Sequence, residues 1–277
     1  MSSPSLQIAD ALLPASSTTL RRAAEYLLSR RAGEGYWCGE LTADTTLESD
    51  FVLLELWRHP PQDGVWNPPT RGLVNKAVRS ILARQLPDGG FSIYEKGPSE
   101  VSASIKAYVA LKLAGIDANE ASMVRLRERI LALGGLQAAN SYVKINLSLF
   151  GLYPREHTPS IPPELNLTGN LIYEMSSWTR AIVTPLSILH SMNPRRPVPA
   201  GFDVQELFVP GVPLAFVDRE KILSWGNFFF VADRMLKLWE RHGSRSLRTR
   251  AIRRAEQWIL ARTRHSDGLG AIYPSMM

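Results

Sequence analysis

The sequence is poor in the residues that build several kinds of site. One cysteine, Cys38, in 277 residues excludes a disulfide framework and a cysteine-based zinc site. The histidines, His59, His157, His190, His242 and His265, stand apart, and none belongs to an HExxH pattern or another paired ligand spacing. No run of about 18 uncharged apolar residues is present, so no segment is expected to span a bilayer. Met1 to Leu13 has no basic stretch ahead of its short apolar piece, so no secretory signal is expected, and the chain reads as cytoplasmic or peripheral to a membrane. Strand signals are almost absent. Charged residues are 21% and apolar residues 45% of the chain, which excludes a disordered class and leaves an ordinary globular one of one or two domains.

The charge that is present is unevenly placed. The net charge is +6, yet the segment from Arg234 to His265 alone carries ten Lys/Arg against two Asp/Glu, so the remainder is slightly acidic. That segment reads as the solvated face of an outer helix pair, or as a surface for anionic lipid head groups. It includes Trp239 and Trp258 but no nucleic-acid motif, so a nucleic-acid partner is not expected.

Apolar spacing is helical. Ile222, Trp225, Phe229, Ala232, Leu236 and Trp239 fall on one face of a long helix. Further helices are expected near 19–31, 45–57, 71–85, 100–114, 121–133, 137–150, 176–191 and 246–263. The segment 47–57 is apolar nearly all round and should be buried on most sides, with Thr45 and Glu48 forming a capping box at its start. The segment 76–84 is amphipathic. An amphipathic helix beside a mostly apolar one predicts two concentric layers. A repeat supports this: Ala23, Ala77 and Ala255 each open the pattern Ala-x-x-x-(Leu/Ile)-Leu-x-Arg, closed by Arg30, Arg84 and Arg262, and an acidic-Gly pair follows at Glu34-Gly35, Asp88-Gly89 and Asp267-Gly268. A helix stopped by a Gly-centred turn is the physical content of the pattern.

The stretch 154–217 differs. Its prolines predict loops near 153–172 and 193–218. The second loop contains Phe202, Leu207, Phe208, Val209, Val212, Leu214, Phe216 and Val217 with few charges. A long apolar loop is buried, functional or set on a membrane.

The repeat resembles the QW repeat (Gln-x-x-x-Gly-x-Trp) of class II triterpene cyclases. Gln85 to Phe91 keeps Gln and Gly with Phe for Trp, and the first copy keeps Gly35 and Trp37 with Arg31 for Gln. Longer stretches resemble the N-terminal region of squalene–hopene cyclases: Gly35 to Leu41, Glu48 with Val52-Leu53-Leu54, Ser102 to Tyr108, Ile161 to Glu164, Ile172 to Val183 and Gly270 to Pro274. The resemblance runs from about Thr19 onward. It implies an all-α fold, an α/α-barrel (toroid), with residues 1–33 as a tail and docking helix and 34–277 as the barrel. It implies an isomerase chemistry in which an aspartate protonates squalene and carbocations close the rings, without a cofactor or a metal.

The family's protonating motif, Asp-x-Asp-Asp, occurs nowhere in the sequence. The resemblance therefore implies part of a cyclase, not active alone, with a separately encoded catalytic half or a second copy as partner; a non-catalytic scaffold or lipid-binding relic of a truncated gene fits the same composition. It implies that Trp178, Ile272, Tyr273 and Pro274 line the substrate cavity, although Trp178 also reads as a core residue and Pro274 as a helix start. Met175 and Val183 match positions near an entrance channel, with core packing an equal alternative. Phe202, Leu207, Phe208, Val209, Leu214 and Phe216 match the plateau by which the family sits on the inner membrane as a monotopic protein. The alternative is a loop buried against protein.

Overall fold

The computed structural model describes residues 4–37, 43–169, 171–214, 223–264 and 268–269. Ile272, Tyr273, Pro274 and Phe216 lie outside the described residues, as does Ile222. Among the described residues the only β feature is an isolated bridge between Gln62 and Val65. The helices are α1 (Pro4–Ser29), α2 (Thr46–Arg58), α3 (Arg71–Leu82), α4 (Val101–Leu113), α5 (Ala121–Ala132), α6 (Ser141–Ser148), α7 (Leu171–Glu174), α8 (Ser177–Met192), α9 (Trp225–His242) and α10 (Arg245–Thr263). Short 3-10 turns lie at Leu136–Ala138, Arg155–His157, Pro163–Leu167 and Gln205–Leu207. The chain is all-α, and each long helix matches an expected one to within a few residues, α1 excepted, which begins earlier.

Two compact units are present, residues 1–42 and 43–277. In the first unit the indole Nε1 of Trp37 donates to the Leu27 carbonyl at 2.5 Å, and the Arg31 guanidinium lies 5.8 Å from that ring.

The second unit is built on α4. Eleven of its side chains are buried, from Ser102 to Leu113 with only Lys112 left out, because α2, α3 and α5 surround it. The amphipathic α3 turns Val74, Ala77, Val78 and Ile81 inward, and α5 turns in Met123, Leu126 and Ile130. The enclosed helix is thus α4, not the α2 segment that the composition puts inside. Five helices begin at a side-chain cap: Glu100, Asn140, Ser176, Ser224 and Ser244 cap α4, α6, α8, α9 and α10 through side-chain acceptors. The expected capping box at α2 is not formed. Thr45 is in a helical conformation and makes no cap bond; Asp44 Oδ1 accepts from the Thr46 amide at 2.9 Å instead. Glu48 points to α3, pairing with Arg84 at 3.0 Å and Ser80 at 2.9 Å.

The repeat turn has one backbone geometry in two copies. The Leu86 amide donates to the Gly90 carbonyl and the Gly89 amide to the Leu86 carbonyl, both at 2.9 Å; the Ala32 amide donates to Tyr36 and the Gly35 amide to Ala32, also at 2.9 Å. Gly89 and Gly35 both have φ near +90° (86° and 94°), where a side chain is strained. In the second copy Gln85 Nε2 donates to the Gly89 and Ser122 carbonyls, Asp88 accepts from Ser99 and pairs with Arg129, and Phe91 is fully buried. The turn thus ties α3 to α4 and α5. A Cβ on Gly90 would sit 2.2 Å from Ser99 Oγ, so Gly90→Ala forces Ser99 off Asp88. Overpacking of this kind costs about 1–3 kcal/mol, and a drop of roughly 3–10 °C in melting temperature is expected by circular dichroism. An unchanged melt would show that the turn gives way freely.

Candidate functional site

Helix α2 is not buried on most sides as its composition predicts. Thr46, Ser49, Val52, Leu53, Glu55 and Leu56 face inward, but Leu54 is 51% exposed and Phe51 and Trp57 are half-buried. Leu47, Asp50, Phe51, Leu54 and Trp57 recur at helical spacing and form one wall of a cleft of about 440 Å³. Asn146, Leu149 and Phe150 at the end of α6 and Leu189 of α8 complete it. Trp57 meets Phe150 edge-on, centroids 6.0 Å apart, and the Arg196 guanidinium lies 4.9 Å from the Trp57 ring. A mostly apolar, aromatic-lined cleft with two polar walls is the composition of a small-molecule site.

Those polar walls belong to one network. Lys106 Nζ, at the middle of α4, donates to both oxygens of Asp50, at 2.6 and 2.8 Å, and Asn146 Nδ2 donates to Oδ1 at 3.0 Å. The Lys106 side chain is 1% exposed. Burial pushes the Asp50 carboxyl above its ordinary value, against the pull of Lys106. Burial pushes the Lys106 ammonium below its ordinary value, against the pull of Asp50. With three hydrogen bonds accepted, Asp50 is a held counter-charge at the base of an apolar cleft, not a free proton donor. Neither residue stands out as a site residue in the sequence. The signal that could have found Lys106 is a lysine at the middle of a helix made mostly of apolar and small residues, since a buried charge requires a partner.

The residues that the resemblance implies are spread over other elements. Trp178 is 58% exposed on α8 and is no part of the cleft wall, but it shares a helical stripe with Pro185 and Leu189, and Leu189 does line the cleft. Val183 is half-buried on another side of α8. Met175 precedes the α8 cap, and its carbonyl accepts from Arg180 at 2.5 Å.

The apolar loop is strapped to its own core. Leu207 is fully buried and Val204 is 1% exposed, so Leu207 does not face outward. Glu206 accepts from Tyr108 at 2.9 Å and from Lys112. Burial and the Glu206 carboxylate raise the Tyr108 phenol well above its ordinary value. Burial opposes the fall of the Glu206 carboxyl, but the Lys112 and Tyr108 bonds hold it below its ordinary value. Phe202 lies 5.4 Å from the Lys112 ammonium. Val209 exchanges two hydrogen bonds with the Gln137 amide. Phe208 stacks on Tyr153 at 6.3 Å. Phe208, Val209 and Leu214 share the wall of a second cavity, of about 540 Å³.

A run of exposed apolar side chains lies on α9, which has no buried residue. Its polar side does the docking: Asp233 accepts from the Ser160 amide at 2.7 Å, Lys237 donates to the Glu156 carbonyl at 2.8 Å, and Glu240 faces His190 Nδ1 at 3.6 Å and accepts from Ser160. Burial opposes it, yet the His190 and Ser160 bonds hold the Glu240 carboxyl below its ordinary value. Trp225, Phe228, Phe229, Met235 and Leu238 are 57–76% exposed, and the first three cluster with centroids 5.5–6.1 Å apart. Of the stripe that the spacing reveals, Trp225, Phe229 and Trp239 are exposed and Ala232 and Leu236 half-buried.

Among the described residues no group of three His, Cys, Asp or Glu is placed to hold a metal ion, and no helix is long and apolar enough to cross a membrane.

Residues 20–277 match the family described as the squalene-hopene cyclase N-terminal domain. The chain is 34% identical over 261 residues to the squalene–hopene cyclase of Zymomonas mobilis, covering 93% of the chain and 38% of that protein. It is 35% identical over 266 residues to that of Alicyclobacillus acidocaldarius, covering 94% and 40%. It is also 28% identical over 268 residues to the dammaradiene synthase of Dryopteris crassirhizoma, covering 95% and 38%. The chain thus spans about two fifths of the length of these relatives. An all-helical unit of an enclosed helix and its amphipathic neighbours, matched over nearly its whole length, belongs to the squalene–hopene cyclase N-terminal domain family.

Proposed function

We propose that this chain supplies one wall of a squalene-cyclising cavity and acts only with a part that carries the Asp-x-Asp-Asp acid. The observation that carries this is the outward apolar stripe of α2, Leu47, Phe51, Leu54 and Trp57, in the cleft. A helical unit that were complete in itself would bury such a stripe, each large side chain being worth about 1.5–3 kcal/mol when fully buried. Open to a hydrocarbon, the same side chains bind it, exclude water and present aromatic faces to a developing cation. The chain's own chemistry ends there: Asp50 is held by Lys106 and Asn146, so the proton comes from the acid motif. Trp178 extends this wall along the α8 stripe, and Met175 and Val183 lie toward the entrance; the resemblance assigns Ile272, Tyr273 and Pro274 to the same cavity. The chain meets the bilayer peripherally, chiefly through the exposed face of α9, with Phe202, Phe208, Val209 and Leu214 contributing from the loop; the resemblance assigns Phe216 to the same plateau.

The test is co-production of the 277-residue chain with the downstream half of a squalene–hopene cyclase, Asp-x-Asp-Asp included, and analysis of the products from squalene. Cyclised product is expected only when both are present. Leu54→Asp, which places a charge in the cleft wall at an exposed position, is expected to cut turnover at least about tenfold while leaving the melt unchanged. Two folded halves that together give no product, or a Leu54→Asp variant as active as the parent, would overturn the reading and favour a lipid-binding or scaffold role.

A further inference from the structure

A second cleft, of about 420 Å³, lies between α10 and the segment 163–173 and has the opposite chemistry. Arg250, Arg253, Arg254 and Trp258 fall at spacings of 3, 4 and 8 residues along α10, so they share one face, and that face forms one side of the cleft. Asn166 and Tyr173 contribute to the other side. Three guanidinium groups this close repel one another, and such groupings normally recruit carboxylates. Here none does among the described residues: no ion pair or hydrogen bond engages Arg250, Arg253 or Arg254. The nearby acid, Glu164, is already committed to Arg248 at 3.3 Å, and Glu256 falls on the far side of α10 by helical spacing.

Two further groups at the cleft are built for a ligand. The indole Nε1 of Trp258 is buried with no acceptor, and the Oδ1 of Asn166, a residue 8% exposed, is buried with no donor. Asn166 is not free to turn toward a better partner, since its Nδ2 donates to the Pro163 carbonyl at 2.9 Å and to Ser187 Oγ at 3.2 Å. Tyr173 is held beside the cleft by Arg180, which donates to its carbonyl at 3.1 Å and lies 5.2 Å from its ring. A buried donor and a buried acceptor left unmatched each cost more than a made bond returns.

We propose that this cleft binds a phosphomonoester. Its anionic oxygens match the forked guanidinium donors and the indole N–H. A hydroxyl, either the protonated phosphate oxygen or one on the attached carbon skeleton, matches the Asn166 acceptor. The same chemistry is offered by a soluble phosphomonoester and by the head group of an anionic lipid, and the experiment separates them. The site is separate from the apolar cleft, with which it shares no lining residue.

The test titrates the full chain by calorimetry with glycerol 1-phosphate, and in parallel measures co-sedimentation with phosphatidylcholine vesicles with and without phosphatidic acid. Three variants are compared: Arg253→Gln/Arg254→Gln, Trp258→Phe, and Arg245→Gln, an exposed charge on the other side of α10. The α10 anchors, Ala251 and Ala255, remain fully buried in all of them, and circular dichroism checks the fold. The double variant is expected to weaken binding at least about tenfold and Trp258→Phe about tenfold, while Arg245→Gln leaves it close to the parent. Binding of glycerol 1-phosphate with this pattern assigns a soluble ligand. The pattern seen only as the increment due to phosphatidic acid assigns a lipid head group. No binding of either probe, or equal losses in the double variant and in Arg245→Gln, overturns the proposal in favour of a merely solvated basic face.

Discussion

Lys106→Met is expected to lower the melting temperature by roughly 10 °C, the largest stability loss of any single change considered. Methionine fills the same volume at the middle of α4, so packing is preserved and the loss is electrostatic. What remains is the Asp50 carboxylate at the base of an apolar cleft with only Asn146 to hold it. Removing one member of a buried pair costs about 3–5 kcal/mol, because the other charge is left desolvated and unmatched. Asp50→Asn should cost a similar amount for the mirror-image reason. The double variant Asp50→Asn/Lys106→Met should recover most of the loss, since no charge is left and the asparagine oxygen still accepts from Asn146.

The pH dependence separates this account from simple damage to the core. Burial raises the Asp50 carboxyl above 3.8, so the folded state holds that proton more tightly than the unfolded chain. Its contribution is present at low pH and lost as pH rises. Without Lys106 to oppose it, the trend strengthens, and Lys106→Met should become more stable as pH falls toward 3.8. Burial lowers the Lys106 ammonium below 10.5, so the folded state holds that proton less tightly, and Asp50→Asn should become more stable as pH rises toward 10.5. Opposite slopes in the two variants, measured by thermal melts, are the signature of a buried pair; parallel slopes would show that the two charges do not depend on each other.

Helix positions were legible in the sequence because they rest on local physics. The spacing in Arg71–Leu82 and the Gly89 turn carry their own instructions, and both appear in the structure where the spacing puts them. Which apolar face is covered is a tertiary matter, and there the sequence is ambiguous. The α2 stripe and the α4 core have the same kind of composition, yet Leu54 is exposed and Leu111 is not. The loop 202–214 and α9 are both rich in large apolar residues, yet the loop sends Leu207 inward while α9 keeps its stripe outward. The deciding contacts are polar and distant in sequence: Glu206 with Tyr108 and Lys112, Val209 with Gln137, and Asp233 and Glu240 with Ser160. No local pattern announces such pairs. The cleft residues Asp50 and Asn146 come from α2 and α6 and meet only in the fold.

Phe228→Glu/Phe229→Glu is expected to weaken partitioning to phosphatidylcholine vesicles on the order of a hundredfold or more. The two rings are 59% and 63% exposed; Phe228 meets Trp225 edge-on and Phe229 meets it tilted, and Trp225 is itself 76% exposed. An amphipathic helix lying in the interface buries this kind of face among the acyl chains, and each Phe contributes about 1.5–3 kcal/mol there. Replacing both with carboxylates removes that gain and adds a charge that resists desolvation. The fold should survive, because both rings are exposed and α9 is held by Asp233, Lys237 and Glu240. Phe208→Glu is the informative contrast. Its ring is stacked on Tyr153 and half-buried against the core, so that change should lower the melting temperature while the folded molecules still float with vesicles. If Phe208→Glu abolishes flotation and the α9 pair does not, the membrane contact lies on the loop after all. If the parent chain does not float, neither surface meets a bilayer, and the α9 face is covered by protein: an apolar stripe held outward by three polar anchors, Asp233, Lys237 and Glu240, is too costly to leave in water.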